Sequence, residues 1–321
     1  MKKEDLRIVF MGTPEFAVET LKALVENGYH VVAVVTQPDK PVGRHGSVLQ
    51  PSPVKVYAQE QGLPVLQPEK MKDPMFLETL KSYDANLQVV VAFRMLPEVV
   101  WAMPRYGTFN VHAALLPLYR GAAPINWAVI NGETQTGVTT FFLDHDIDTG
   151  RIIDQLTFDI PDEADVEYVY DGLMQLGAKL CLQTLEKIVA ADGYPASMPQ
   201  QETDNLPVAP KIFKETCMIA WQQPVKRVYD FVRGLSPYPG AWTELMKDDG
   251  SSMVMKIFKT TKTQLSSEGR VGRLMADKKH LYIGCEDFFL QIDELQLAGK
   301  KRMDAVSFLN GMNGLENYFV E

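Results

Sequence analysis

The sequence predicts an α/β protein: a doubly wound, Rossmann-like domain followed by a small C-terminal β-barrel domain. Three observations carry this. The chain opens strand–helix–strand, short apolar runs continue to about residue 160, and five strand-like runs crowd the last eighty residues. At 321 residues the chain is long enough for two domains with substantial cores.

Residues 6–11 (LRIVFM) read as a buried parallel strand. Gly12 breaks it, Thr13 is a fitting N-cap, Pro14 suits the first helical position and Glu15 the first turn. Phe16, Leu21 and Leu24 give the helix an apolar side, and residues 30–36 (HVVAVVT) form the second strand. A right-handed βαβ unit follows. The Gly12 turn lacks the G-x-G-x-x-G pattern, and no acidic residue ends the second strand. It reads as a tight turn placing Thr13 and Pro14 near a ligand, not as a dinucleotide site.

Residues 37–53 hold four prolines and two glycines, with Lys40, Arg44 and His45, and read as a long loop too rich in breakers for regular structure. Loops of this length are usually functional or disordered. Strands are expected at 87–92 and 108–112, a helix at 122–131, and further strands at 137–144 and 151–160. Residues 165–191 have helical periodicity, with Tyr168, Leu173, Leu176 and Leu180 on one side. The polar stretch 193–210 reads as a linker between a domain at 1–192 and one at 211–321. In the latter, a helix at 225–234 precedes strands at 241–245, 253–258, 272–275, 280–285 and 288–297, a barrel-like pattern.

Composition narrows the class. Hydrophobic residues make up 46% and charged residues 23%, and no apolar run reaches the roughly 18 residues needed to cross a bilayer. The charged start and short first apolar run do not make a signal peptide, so a cytoplasmic protein is expected. Cys181, Cys217 and Cys285 are odd in number and widely spaced, as three buried or half-buried thiols would be, with neither disulfide framework nor zinc spacing. The net charge is −9, but residues 208–321 carry 16 Lys and Arg against 14 Asp and Glu, leaving 16 against 27 elsewhere. A near-neutral to basic C-terminal part permits an RNA-facing surface there.

The chemistry concentrates in GTFNVHAALLPLYRGAAP, residues 107–124, and LDHDIDTG, residues 143–150. Asn110 and His112 share one strand face by period two, at the carboxyl end of a strand, where open α/β sheets place ligands. Asp148 follows another strand and precedes Thr149 and Gly150. An amide to steady an oxyanion, an imidazole for charge or a proton, and a carboxylate to set the imidazole suit acyl transfer to an amine. Spacing alone leaves Asp144, His145 and Asp146 open as the acid and base.

These residues resemble the 10-formyltetrahydrofolate-dependent formyltransferases. The resemblance spans nearly the whole chain: FMGTPEFAV, TQPDKPVGR with PSPVK, VVVAFRMLPEVV, NVHAALLPLYRGAAPINWAVINGET, the later DTG, FVRGLSPYPGAW and LQLAGKKRMDAVSFLNG. It is strongest to the members that act on initiator methionyl-tRNA. It implies a formyltransferase catalytic domain at 1–192 and a barrel at 211–321, similar to oligonucleotide-binding (OB) folds, that grips tRNA. It implies Asn110, His112 and Asp148 as catalytic residues. It also implies a folate pocket from Phe93, Arg94, Met95 and Leu96, through backbone groups, and from Ala114, Leu115, Leu116 and Pro117. The family usually has Ser where this chain has Ala114, so that hydroxyl contact is lost. Its commoner Gly-Leu before Asp-Thr-Gly is replaced by His145-Asp146-Ile147, which adds charge. The 37–53 loop is implied to enter the acceptor-stem groove, with Arg44 the main contact and Lys40 and His45 weaker ones.

Lys300, Lys301 and Arg302 form a basic run assigned to tRNA binding, and Lys256, Lys259 and Lys262 recur near one strand. The co-substrate implied is 10-formyltetrahydrofolate without a metal, and the protein is implied to be a monomer. Rival readings are transfer to a sugar-nucleotide or glycinamide ribonucleotide amine, hydrolysis of the formyl donor, and a non-catalytic RNA-binding protein. The last leaves the Asn110, His112 and Asp148 spacing unexplained. A nicotinamide-dependent dehydrogenase fits only the first fifty residues, in outline.

Overall fold

A computed structural model describes residues 1–321 except Arg44, His45, Glu202 and Asn313. The residues gather into two compact units, each discontinuous in sequence. One contains Met1–Gly121, Gln135–Asp159 and Tyr170–Val208; the other contains Ala122–Thr134, Ile160–Val169 and Ala209–Glu321.

The strands of the first unit are β1 (Arg7–Gly12), β2 (His30–Val35), β3 (Lys40–Val42), β4 (Val48–Gln50), β5 (Val65–Leu66), β6 (Leu87–Val91), β7 (Thr108–His112), β8 (Arg120–Gly121), β9 (Gln135–Phe142) and β10 (Ile152–Asp159). Seven form one sheet in the order β10-β9-β7-β6-β1-β2-β5. The pairs from β7 to β5 are parallel, while β9 and β10 add antiparallel. The chain winds outward from β1 through β2 to β5, then returns to β6 and β7. This reversal of direction between β1 and β6 is where doubly wound sheets open a crevice for ligands.

The apolar runs become the central strands because parallel strands are covered on both faces. Val9, Met11, Val35 and Val90 pack in one cluster with Phe76 and Leu80 from the helix Pro74–Ser82. The helix Glu15–Glu26 buries Phe16, Leu21 and Leu24 as expected. Pro14, rather than Thr13, stands at its N-cap, and the Thr13 hydroxyl accepts from the Gln37 N–H instead. Gly12 is needed for close approach: a Cβ there would meet the Ala17 Cβ at 2.7 Å and the Val91 oxygen at 2.9 Å.

The stretch expected to lack regular structure contains a two-stranded ribbon, β3 against β4, before a helix starts at Pro53. Pro41 and Gly43 disguised it, but an isolated ribbon needs few ladder donors. Its base is fastened to the sheet domain. Thr36 Oγ1 lies 2.7 Å from Ser52 Oγ, Lys55 Nζ reaches Asp39 at 2.7 Å, and Gln67 Nε2 donates to Asp39 at 2.7 Å. Lys55 and then Gln67 hold the Asp39 carboxyl below its usual range. A long helix, Val166–Ala190, buries Leu173 and Leu180, whereas Tyr168 is exposed rather than on the buried side.

β11 (Val208–Ala209) lies where the chain passes from one unit's segments to the other's. The second unit is an antiparallel sheet of β12 (Ala241–Lys247), β13 (Ser252–Ser266), β14 (Leu274–Ala276), β15 (Leu281–Gly284), β16 (Phe288–Leu297), β17 (Met303–Asp304) and β18 (Tyr318–Val320). Its order is β14-β15-β16-β13-β12-β18, with β17 on β16. The Val320 N–H donates to the Gly272 carbonyl at 2.9 Å and Arg273 bridges Phe319, so the sheet nearly closes on itself. Its core holds Trp221, Ile257, Leu281, Ile292 and Phe308, with Val225, Val228 and Val232 from the helix Val225–Arg233.

Two earlier segments join this unit through polar contacts. Arg233 donates to the Ala164 carbonyl at 2.8 Å and pairs with Asp230 at 2.8 Å, Tyr229 donates to the Asp162 carbonyl, and Lys262 pairs with the Asp162 carboxylate at 2.6 Å. Asn126 donates to the Gly234 carbonyl at 2.9 Å.

Candidate active site

β7 delivers the first two candidates. It is flanked by β6 and β9, with Asn110 opposite Val90 and Phe141 and His112 opposite Thr139. The Oδ1 of Asn110 is buried with no hydrogen-bond partner among the described residues. Buried polar atoms are nearly always paired, so an unpaired one at a strand's carboxyl end marks a place where a ligand completes the pairing.

His112 is buried, and its Nε2 lies 2.9 Å from the Tyr119 carbonyl oxygen. A carbonyl only accepts, so Nε2 carries the proton and Nδ1 is left for chemistry. Nδ1 faces Asp148 Oδ2 at 3.8 Å. Asp148 also accepts from the Gly121 N–H through the same oxygen, at 2.9 Å. The carboxylate is thus held by the last residue of β8 and faces the imidazole.

The backbone around Asp148 is as constrained as its side chain. Its φ is +57°, a left-handed conformation unusual for a residue with a Cβ. Such a residue costs about 1–3 kcal/mol and persists where its surroundings fix it. Gly150 supplies part of that fixing: a Cβ there would lie 1.6 Å from the Phe142 oxygen, so only glycine allows this approach. The nearby acids play another part. Asp144 Oδ1 accepts from the Asp146 N–H and the Thr149 hydroxyl, capping the turn, while exposed His145 faces Glu98 at 3.8 Å. The carboxylate brought to His112 is that of Asp148.

The expected folate segments border this end of the sheet. After β6, Phe93 packs on the sheet cluster, Leu96 is buried and Met95 is exposed. The Arg94 guanidinium donates to the Pro68 and Glu69 carbonyls, and its Nε is buried without a partner among the described residues. Burial pushes the Arg94 pKa below its ordinary value. Its side chain is thus turned to the neighbouring loop. After β7, Ala114 and Leu116 are buried and the Leu116–Pro117 peptide is cis.

The buried Thr139 hydroxyl organises this turn. It donates to the Ala114 carbonyl at 2.6 Å and accepts from the Leu116 N–H at 3.1 Å. Gln155 Nε2 donates to it and to the Leu116 carbonyl, both at 2.9 Å. Sequence reasoning did not single out Thr139, Gln155, Tyr119 or Gly121. Their roles rest on backbone contacts, which leave no spacing signal.

Of the candidate RNA contacts, Lys40 is exposed on β3, and Arg44 and His45 lie outside the described residues. Lys300 and Lys301 are exposed. Arg302 pairs with Glu294 at 2.5 Å and sits 4.3 Å over the Phe258 ring. Lys262 is taken up by Asp162, and Lys256 donates to the Pro239 carbonyl. All three cysteines are free and buried. Among the described residues no group of three His, Cys, Asp or Glu could hold a metal ion, and no helix is long and apolar enough to cross a membrane.

An amide, an imidazole and a carboxylate converge where a doubly wound sheet binds its ligands, ahead of a separate near-barrel unit. Models of two families match this arrangement: "Formyl transferase" over residues 6–185 and "Formyl transferase, C-terminal domain" over 211–313. The chain belongs to the formyl transferase family. Within it, the chain is 60% identical over 325 residues to methionyl-tRNA formyltransferase of Parabacteroides distasonis, covering all of both chains.

Among solved structures it is similar to HypX from Aquifex aeolicus in complex with tetrahydrofolic acid, at TM-score 0.62 and 19% identity. That match covers 95% of this chain and 47% of HypX, so the chain spans about half of HypX. It is also similar to WlaRD, a sugar 3N-formyl transferase, at TM-score 0.64 and 16% identity, over 92% and 99% of the two chains. At these identities the structural likenesses show the fold.

Proposed function

We propose that this protein transfers the formyl group of 10-formyltetrahydrofolate to the α-amine of initiator methionyl-tRNA, giving N-formylmethionyl-tRNA for translation initiation. The observation that carries it is the full-length identity to a methionyl-tRNA formyltransferase, joined to an amide with unused hydrogen-bonding capacity beside a His–Asp pair.

The residues suit each step. The amine attacks the formyl carbon, and the formyl oxygen gains negative charge as the carbon becomes tetrahedral. The Asn110 amide donates to that oxygen. Once Asp148 has handed His112 Nδ1 the proton taken from the amine, the imidazolium stabilises the same charge or passes that proton to the departing folate nitrogen. Asp148 takes up the amine's proton through water. The carbon–nitrogen bond to folate then breaks, and the folate nitrogen leaves with one proton. Backbone groups of Phe93, Arg94, Met95 and Leu96 meet the pterin ring, and Ala114, Leu115, Leu116 and Pro117 form the other wall. No step calls for a metal.

Binding of tRNA is assigned to Lys40, Arg44 and His45 of the sequence stretch 37–53 and to Lys300, Lys301 and Arg302 on the C-terminal unit. Arginine suits phosphate or base-edge contact better than lysine does. In this reading residues 1–192 act as the catalytic domain, 193–210 as the linker and 211–321 as the tRNA-binding barrel. The protein works as a cytoplasmic monomer.

The test is formyl transfer from 10-formyltetrahydrofolate to charged initiator tRNA, with free methionine and a sugar-nucleotide amine as parallel acceptors. Transfer to the tRNA alone is expected. Transfer only to the small amine would discard the tRNA assignment and keep the folate site.

A further inference from the structure

The stretch expected to be a plain linker comes back to the active site. Met198 exchanges two backbone hydrogen bonds with Ile152 at the start of β10, each 2.8 Å. Arg151 donates to the hydroxyl and carbonyl of Ser197. Further on, the Tyr119 N–H donates to the Pro207 carbonyl at 2.7 Å. Tyr119 is the residue whose carbonyl holds His112. Between these anchors lies Gln200.

All of the hydrogen-bonding atoms of the Gln200 side chain are engaged. Nε2 donates to the Asp148 carbonyl and to the Gly150 carbonyl, both at 2.8 Å. Oε1 accepts from Arg120 Nε at 3.0 Å and from its terminal nitrogen at 2.7 Å. Arg120 directly precedes Gly121, whose N–H grips the Asp148 carboxylate. One amide therefore ties the left-handed Asp148 backbone to the turn that receives its side chain. Arg120 fixes which way the amide points, because a guanidinium only donates. Only an amide both accepts two bonds on one end and donates two from the other.

We propose that Gln200 is a positioning residue for formyl transfer: it holds Asp148 in the backbone conformation that aims its carboxylate at His112 Nδ1. The proposal rests on the reading of Asn110, His112 and Asp148 as the catalytic groups. Gln200 touches no reacting atom in this scheme and acts through Asp148. A misplacement of about 1 Å from outside the chemistry can cost about 10²-fold in rate.

The test compares the unaltered protein with Gln200→Glu, Gln200→Ala, Asp148→Asn and the double variant Gln200→Glu/Asp148→Asn. Glu keeps the size and the Arg120 contact, but turns an acceptor toward two carbonyls. Formyl transfer to methionyl-tRNA is measured with varied folate, alongside acceptor-free release of formate from 10-formyltetrahydrofolate and affinity for 5-formyltetrahydrofolate.

The expected result is a fall in kcat of about 10–100-fold for both Gln200 variants, with the KM for folate and the affinity for its analogue within about threefold. In the double variant, Gln200→Glu adds little to Asp148→Asn, because both act through one carboxylate. Three outcomes overturn the proposal: kcat unchanged in Gln200→Glu, a change confined to KM, or full additivity with Asp148→Asn. If the unaltered protein releases formate but does not formylate the tRNA, the substrate reading fails and the same comparisons on formate release judge Gln200. If it does neither, both fall.

Discussion

Asn110 shows what one residue can reveal. Its place two positions before His112 on a strand was readable from the sequence, because alternation puts both on one face. Its unpartnered Oδ1 was not, since pairing depends on what Val90 and Phe141 bring alongside. In the proposed role of oxyanion donor, played by the amide nitrogen, Asn110→Ala is expected to lower kcat about 10²–10³-fold in the formyl-transfer assay while the folded state persists. A near-normal rate would remove Asn110 from the mechanism. At Asp148 the sequence offered three aspartates within five positions, and only the fold separates them. Asp144 spends its carboxylate on its own turn, and Asp148 alone is turned by a positive φ toward Gly121 and His112. Gln200 left no pattern to find, because its partners are two carbonyls about fifty residues away and an arginine about eighty residues away.

The elements were legible in proportion to how much their own side chains dictated them. β7 and β16 fall where the apolar alternation put them, and the helix Val225–Arg233 stops one residue short of its expected end. The ribbon of β3 and β4 escaped because its residues are exposed and interrupted by proline and glycine, so no buried apolar alternation marks it. The helix Pro74–Ser82, started by Asp73 accepting from the Met75 and Phe76 N–H groups, was also missed among polar residues. At this scale the turn after β7 depends on a single hydroxyl of β9. Thr139→Val keeps the volume but strands the buried Leu116 N–H and the Ala114 carbonyl. The expected cost is about 1–3 kcal/mol in urea unfolding, with weaker binding of 5-formyltetrahydrofolate. A change in stability without a change in binding would separate this turn from the folate site.

For the whole molecule, a ligand that binds only the folded state must raise its stability. A folate analogue at about 100 times its dissociation constant is expected to add about 2.7 kcal/mol and raise the Tm, whereas NAD is expected to leave it unmoved. A rise with NAD would revive the dinucleotide reading of the first strand–helix–strand unit. The buried thiols predict the alkaline limit. Burial, then Asp287, pushes the Cys285 thiol from 9.0 up to about 12, and burial pushes Cys181 up as well. The Cys285 thiol stays protonated when folded but ionises when unfolded above about pH 9, so its stabilisation is full below that pH and is lost as the pH rises toward 12. Urea midpoints should fall from about pH 9 upward, and less steeply in Cys285→Ala. The order of these residues along the chain also leaves a mark on its synthesis. Asn110, His112 and Asp148 all leave the ribosome before Gln200 and Pro207 exist. A nascent chain therefore owns its proposed reactive groups well before it can hold them in place. A polypeptide halted at residue 192 would carry the three proposed catalytic residues without the clasp proposed to hold them.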